Sequence, residues 1–132
     1  IPVSNLVANG MEVNMETPGS IDHDGSLLDY CRLHDITLQA WSPFQMPAWK
    51  GCFLGSDEYP ELNQKLHVLA EKYNVSDTTI AAAWLLRHPA NMQIITGTAS
   101  ESRLKEIIAA CEITLTREEW YELYLAAGHP LP

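Results

Sequence analysis

Basic charge is scarce in this chain: eight Lys and Arg stand against 17 Asp and Glu, a formal net charge of -9 over 132 residues. Nucleic acid and anionic membrane both require clustered cations, so neither is expected as a partner. A bound phosphate would have to be held locally and not by a general positive field. Long apolar runs are also missing. No stretch approaches the roughly 20 residues of a membrane-spanning helix. Residues 1–25 lack the basic start and apolar block of a signal peptide. Cysteine is limited to Cys31, Cys52 and Cys111, an odd number without paired spacing that indicates neither a disulfide framework nor a zinc site. A reducing cytoplasm is the expected location. His23, His34, His67, His88 and His129 contain no pair at metal-ligand spacing, so no metal site is expected. An initial Met is absent too: the chain opens on Ile1-Pro2, and residues upstream are expected to have been removed or to be carried elsewhere.

What the chain does have is 46% apolar content, enough at this length to bury the core of one domain but not of two. Residues 1–25, with Pro2, Asn9-Gly10, Pro18-Gly19 and Asp24-Gly25, show little periodicity and read as an irregular surface segment. Asp24 or Ser26 can cap a short helix carrying Leu27, Leu28, Cys31 and Leu33, which His34-Asp35 ends. Ile36 to Trp41 reads as a strand, stopped by Ser42-Pro43. The loop from Ser42 to Glu58 holds Phe44, Met46, Pro47, Trp49 and Phe53, large apolar side chains that loops usually shed. It is either packed back on the body or the lid of a ligand site.

Pro60 suits the first turn of a helix to about Tyr73, with Leu62, Leu66, Leu69, Ala70 and Tyr73 at helical spacing and Lys65, Glu71 and Lys72 on the wet face. Ser76 caps a helix that is apolar nearly all round from Ile80 to Leu86, as a helix buried on most sides would be, and Asp77-Thr78 belongs to its start. A second strand is expected over Met92 to Ile95. Leu104, Ile107, Ile108 and Cys111 then line one helix face. Thr116 to Glu119 forms a capping box before a last helix striped by Trp120, Leu123, Tyr124 and Ala127 and ended at Gly128. Two strands separated by helices imply parallel pairing, yet two strands alone leave a sheet with two open edges. The expected class is therefore α/β and part of a larger fold.

Between the second strand and the helix opened by Ser100, Thr96 to Ala99 form a strand-to-helix turn of the kind that holds anions. Gly97 permits close backbone approach, Thr98 and Ser100 carry hydroxyl donors, and Arg103 brings a planar guanidinium. The competing reading is that Ser100 merely caps a helix and Arg103 is a solvated charge. The motif alone leaves both open.

Ala40-Trp41-Ser42-Pro43-Phe44 and Ile95-Thr96-Gly97-Thr98 with Arg103, supported by Trp84-Leu85-Leu86-Arg87-His88-Pro89 and Leu115-Thr116-Arg117-Glu118-Glu119-Trp120, resemble the C-terminal part of aldo/keto reductases, notably their bacterial oxidoreductase branch. The resemblance runs from about Asp24 to the end. It implies the C-terminal portion of an eight-stranded (β/α) TIM barrel, in which strands at about residues 36–41 and 92–95 would be the seventh and eighth. On this reading the chain is a single segment: an irregular stretch over 1–25, then the last two β/α units and the C-terminal helix over 26–132.

Residue by residue, the resemblance gives Trp41 the place of the aromatic on which a nicotinamide ring stacks. Ser42 and Phe44 begin the loop around the pyrophosphate. Gly97, Thr98 and Ser100 hold the places that bind the adenosine 2'-phosphate, Arg103 that of a partner to the phosphate or the adenine, and Glu106 that of a contact to the adenine amino edge. A lysine common in the family is Gly97 here and an asparagine is Ile107, which leaves NAD possible beside NADP. Val3-Ser4-Asn5 matches a cofactor-binding motif only superficially, because the helix and strand that should follow it are absent before Asp24. The family's catalytic Asp, Tyr, Lys and His have no counterpart, so no catalytic residue is assigned and the chain alone is expected to be inactive. The implied activity is NADP-dependent reduction of an aldehyde or ketone by the intact protein, with the missing barrel half or self-association completing the fold. The alternative is a noncatalytic binding domain whose aromatic loop packs on a partner.

Overall fold

The computed structural model describes residues 26–46 and 50–130. The expected irregular segment over 1–25, the Asp24 cap, Val3-Ser4-Asn5, and Pro47 and Trp49 of the aromatic loop lie outside the described residues. Within them the order is α1 (Ser26–Leu33), β1 (Gln39–Ala40), α2 (Pro60–Tyr73), α3 (Asp77–Leu86), β2 (Gln93–Ile94), α4 (Glu101–Ala109), a 3-10 turn (Ala110–Glu112) and α5 (Arg117–Ala126). No helix among the described residues is long and apolar enough to cross a membrane.

Local chemistry accounts for most of the boundaries. Pro60 opens α2, where its missing N–H is no loss, and Asn74 closes it in the left-handed region at φ 55°. Ser76 accepts a hydrogen bond from the Thr79 amide at the start of α3. Thr116 and Glu119 form the reciprocal capping box at the start of α5. Gly128, at φ 92°, lies just past the end of α5, a conformation that glycine adopts without steric cost.

The core is organised around α3. Ile80, Ala81, Ala82, Ala83, Trp84 and Leu85 are all buried, so this helix has no wet face, in agreement with its all-round apolar sequence. α2 packs on it through Leu62, Leu66, Leu69 and Ala70. The stripe of α5 holds as well: Leu123 is fully buried, and Trp120, Tyr124 and Ala127 lie half-buried against the core. Trp84 and Trp120 stack with ring centroids 4.6 Å apart, and each indole N–H donates to the other residue's backbone carbonyl at 3.0 Å. Such an aromatic pair is worth about 0.5 to 1.5 kcal/mol beyond the area it buries. Here it also satisfies two polar N–H groups that the core would otherwise strand.

β1 and β2 pair in parallel, Gln39 beside Gln93 and Ala40 beside Ile94, with the Gln93 amide donating to Leu38 and the Ile95 amide to Ala40. The ladder is shorter than the expected strands over 36–41 and 92–95. Pairing defines a strand, and with a single neighbour each among the described residues only the facing pairs hold one another. Ile36, Trp41 and Ile95, at the ends of the expected runs, remain 41%, 40% and 39% exposed. A second departure is α4. Ile107 is buried there, but Leu104, Ile108 and Cys111 are exposed, so the expected apolar face is covered only in part. α4 rests on α3 through Ile107 and the following Ala110, and the Thr79 hydroxyl donates to the Glu106 carbonyl at 2.8 Å. That leaves Leu104 and Ile108 turned away from the body.

The aromatic loop packs back on the body and forms a small hairpin. Gln45 and Cys52 make an antiparallel bridge, Met46 donates to Gly51, and Phe53 donates to Phe44. Phe53 is fully buried and meets Phe44 edge to face at 6.3 Å. Asn63 of α2 then ties the loop down: its amide nitrogen donates to the carbonyls of Phe53, Ser56 and Tyr59, and its Oδ1 accepts from Gly55 at 2.7 Å. Asn63→Ala strands these groups and is expected to cost about 1 to 3 kcal/mol in urea unfolding. An unchanged midpoint would exclude Asn63 as the anchor of this loop.

Glu119 joins α2 to α5. Its buried carboxylate accepts from Lys72 Nζ at 2.6 Å, the Tyr73 hydroxyl at 2.8 Å and the Thr116 amide at 2.7 Å. Burial alone would push this carboxyl up. The hydrogen bonds from Lys72, Thr116 and Tyr73 outweigh it and hold the carboxyl below its ordinary value. Glu119→Gln is expected to lower stability near neutral pH by about 1.5 to 3 kcal/mol. Because the folded-state value is depressed, the wild-type advantage is complete above the ordinary value of 4.5 and is lost as pH falls through the native value. Melting curves of the two proteins should therefore converge in acid. A gap that stays constant would separate the stabilisation from this ionisation.

Candidate functional site

The parallel ladder sets the C-terminal ends of β1 and β2 side by side, and the two following segments enclose a cleft of about 610 Å³. After β1, Ser42 takes φ 52°, a left-handed conformation that is sterically disfavoured for a residue with a Cβ. Its carbonyl accepts from the Gln45 amide, so the chain reverses at once. Strain of this kind, of order 1 to 3 kcal/mol, persists only where surrounding structure enforces it. Pro43, next in the chain, is buried. Ser42, Phe44, Cys52 and Leu54 line the cleft from the β1 side, and Thr96, Gly97, Thr98 and Arg103 from the β2 side.

Five of the eight residues singled out in the sequence therefore meet in one cleft: Ser42, Phe44, Gly97, Thr98 and Arg103. A Cβ built on Gly97 would meet nothing within 4 Å, and its φ is not positive, so neither packing nor backbone geometry demands glycine there. Open space lies over it. Thr98 Oγ1 accepts the Ser100 amide at 3.1 Å, which leaves its own proton available to a ligand. Arg103 is exposed and makes no ion pair or hydrogen bond with any described residue. One nearby carboxylate, Glu101, is taken by Lys105 at 2.7 Å. Among the described residues the guanidinium at the cleft thus has no ion-pair partner.

Trp41, Ser100 and Glu106 do not line the cleft. Ser100 occupies the N-cap of α4, but its side chain makes no capping hydrogen bond; its hydroxyl pairs with that of Ser102 at 2.9 Å. The plain capping reading of Ser100 fails on this point. Trp41 stands partly exposed at the end of β1, and Glu106 is half-buried, its carbonyl engaged by Thr79.

The cleft also includes Gln45, Cys52, Leu54 and Thr78, which the sequence did not single out, and Ile107, which it had read only as a helix-face apolar residue and as a departure from the family's asparagine. The apolar richness of the 42–58 loop was the available signal for Leu54. Thr78 offered none: it reads as ordinary first-turn polarity, and only the packing of α3 beneath the strand ends brings it to the cleft.

The sequence profile of the aldo/keto reductase family matches residues 2–124. A 6-dehydroglucose reductase of Agrobacterium fabrum is 30% identical over 124 residues, covering 94% of this chain and 39% of that protein. A second 6-dehydroglucose reductase, from Novosphingobium aromaticivorans, is 31% identical over 80% of this chain and 34% of its own length. The mouse protein estradiol 17 beta-dehydrogenase 5 is 32% identical over 74% of this chain and 29% of its own. Among solved structures, the thermostable aldo-keto reductase Tm1743, crystallised with epalrestat, superposes with a TM-score of 0.61 at 27% identity, over 77% of this chain and 34% of that one. The chain thus spans about two fifths or less of each relative. A profile match over nearly all its length, with a shared α/β fold of parallel strands, makes this chain a member of the aldo/keto reductase family.

Proposed function

We propose that the chain is the dinucleotide-holding C-terminal part of an aldo/keto reductase barrel, β1 and β2 being its last two strands, and that the intact cytoplasmic protein reduces an aldehyde or ketone with NADPH. The observation that carries this reading is the convergence of the two strand ends on one cleft with an unpaired guanidinium at its edge. Barrel enzymes place their sites at the C-terminal ends of strands, and phosphate sites follow the last two. The residues fit a dinucleotide. Gly97 leaves open space above the backbone, Thr98 has a hydroxyl proton to donate, and Arg103 has a free planar fork for a phosphate. Ser42 and Phe44 line the cleft across from them and, on this reading, border the pyrophosphate.

When bound, the nicotinamide supplies the hydride. The residues of this chain bind and orient it, and the proton donor belongs to the rest of the barrel. Trp41, exposed at the end of β1, offers an indole face to the nicotinamide from outside the present cleft. Ser100 and Glu106 belong to the adenosine end of the same reading, Glu106 toward the adenine amino edge. Absence of the common lysine at Gly97 leaves phosphate recognition to Arg103 and to the turn, and NAD as a second, weaker cofactor.

In a protein that carries this chain with its remaining strands, Arg103→Ala is expected to weaken NADPH binding about ten- to a hundredfold, the worth of one charge-assisted hydrogen bond, and NADH binding much less. Trp41→Ala should weaken both cofactors alike. Fluorescence titration with each dinucleotide checks this, and equal losses of NADPH and NADH on removing Arg103 would reject it as the phosphate discriminator. The 132-residue chain purified alone is expected to show no NADPH-dependent turnover of an aldehyde, because it holds no Tyr in a recognisable acid arrangement. Measurable turnover would refute the division of labour.

A further inference from the structure

Four arginines occur in this acidic chain, and three of them, Arg32, Arg87 and Arg117, line one pocket of about 370 Å³ that shares no residue with the cleft. They arrive from three helices: Arg32 from the last turn of α1, Arg87 from the C-cap of α3, and Arg117 from the first residue of α5. Convergence from three elements is a tertiary feature and not a local charge run.

Among the described residues these charges have few counter-charges. Arg87 and Arg117 form no ion pair among the described residues. Arg87 Nε donates to the Leu115 carbonyl at 3.1 Å, and Arg117 lies 5.8 Å from the Tyr121 ring. Arg32 has one distant carboxylate, Asp29, at 3.8 Å, and that side chain is largely exposed. Glu118 follows Arg117 in α5 and feels its charge, but the two form no ion pair. His88 also lines the pocket. Its Nδ1 accepts the Ala90 amide at 3.1 Å, so the neutral ring carries its proton on Nε2 and presents a donor. Burial, and then the charge of Arg32, hold this imidazole below its ordinary value.

We propose that this pocket is a second ligand site, specific for a small oxyanion of the phosphate class, bound by the guanidinium forks of Arg32, Arg87 and Arg117. Planar, bidentate donors suit a tetrahedral dianion better than a halide, and the volume admits a small phosphorylated molecule. The proposal does not depend on the dinucleotide reading of the cleft.

Equilibrium dialysis of the 132-residue chain with labelled inorganic phosphate, at constant ionic strength in chloride, is the test. Saturable retention is expected. Arg32→Gln combined with Arg117→Gln, which spares the Arg87 bond to Leu115, should reduce it at least tenfold. Arg103→Ala should leave it intact, as should Lys65→Gln combined with Lys105→Gln, which removes the same charge elsewhere. No saturable retention would overturn the proposal. So would retention that survives loss of Arg32 and Arg117, or retention that disappears with Arg103, which would place the phosphate in the cleft.

Discussion

The structure depends on the burial of α3 on all sides from Thr79 to Leu85. A helix with no wet face cannot sit at a surface, so other elements must cover every side of it. α2 covers one side through its leucines, α4 and the 3-10 turn another, and β2 a third, while the Trp84–Trp120 exchange fixes α5. The two short strands are too small to hold themselves together, since a two-stranded ribbon is marginal in water. They are aligned because α3 supports them, and Thr79 and Thr78 of this helix reach the backbone of α4 and the cleft respectively.

Alignment of the strand ends then builds the site. Parallel pairing brings both C-terminal ends to the same edge, and the reversal at Ser42 and the open turn at Gly97 keep the following segments on either side of a gap. Asn63 and buried Phe53 fix the hairpin that forms one wall. The other wall carries a guanidinium whose nearby carboxylate, Glu101, is occupied by Lys105. A rigid wall facing a charge with no ion-pair partner among the described residues suits the recognition of a charged ligand. The same two strands leave Ile36, Trp41 and Ile95 exposed at the sheet.

The chain's scarce cations are used economically. Lys65 and Lys72 of α2 reach Glu122 and Glu119 of α5, so residues that read as a wet face also clamp two helices. Buried Glu119 is the stronger of these anchors, because three donors converge on one carboxylate. Arginines are distributed differently: one faces the cleft and three converge on a pocket elsewhere.

Much of this was legible in the linear chain. Pro60, Ser76 and the Thr116–Glu119 box set helix starts through backbone hydrogen bonds within a few residues, and the all-round apolar run of α3 announced its burial. Of the cleft residues, Gly97, Thr98 and Arg103 were legible from the turn after β2 and the first turn of α4, whereas Ser42 and Phe44, after β1, were legible only through the family resemblance. What failed were inferences that needed to know the neighbours. Leu104, Ile108 and Cys111 have helical spacing but nothing among the described residues buries them, and the strands were read longer than one partner apiece can pair. Thr78 in the cleft, the paired tryptophans and the meeting of three arginines join residues far apart in the chain. Local propensity and periodicity act over a turn or two of backbone and so determined the elements; which side chains share a cavity depends on how those elements pack, and only the tertiary structure decided that.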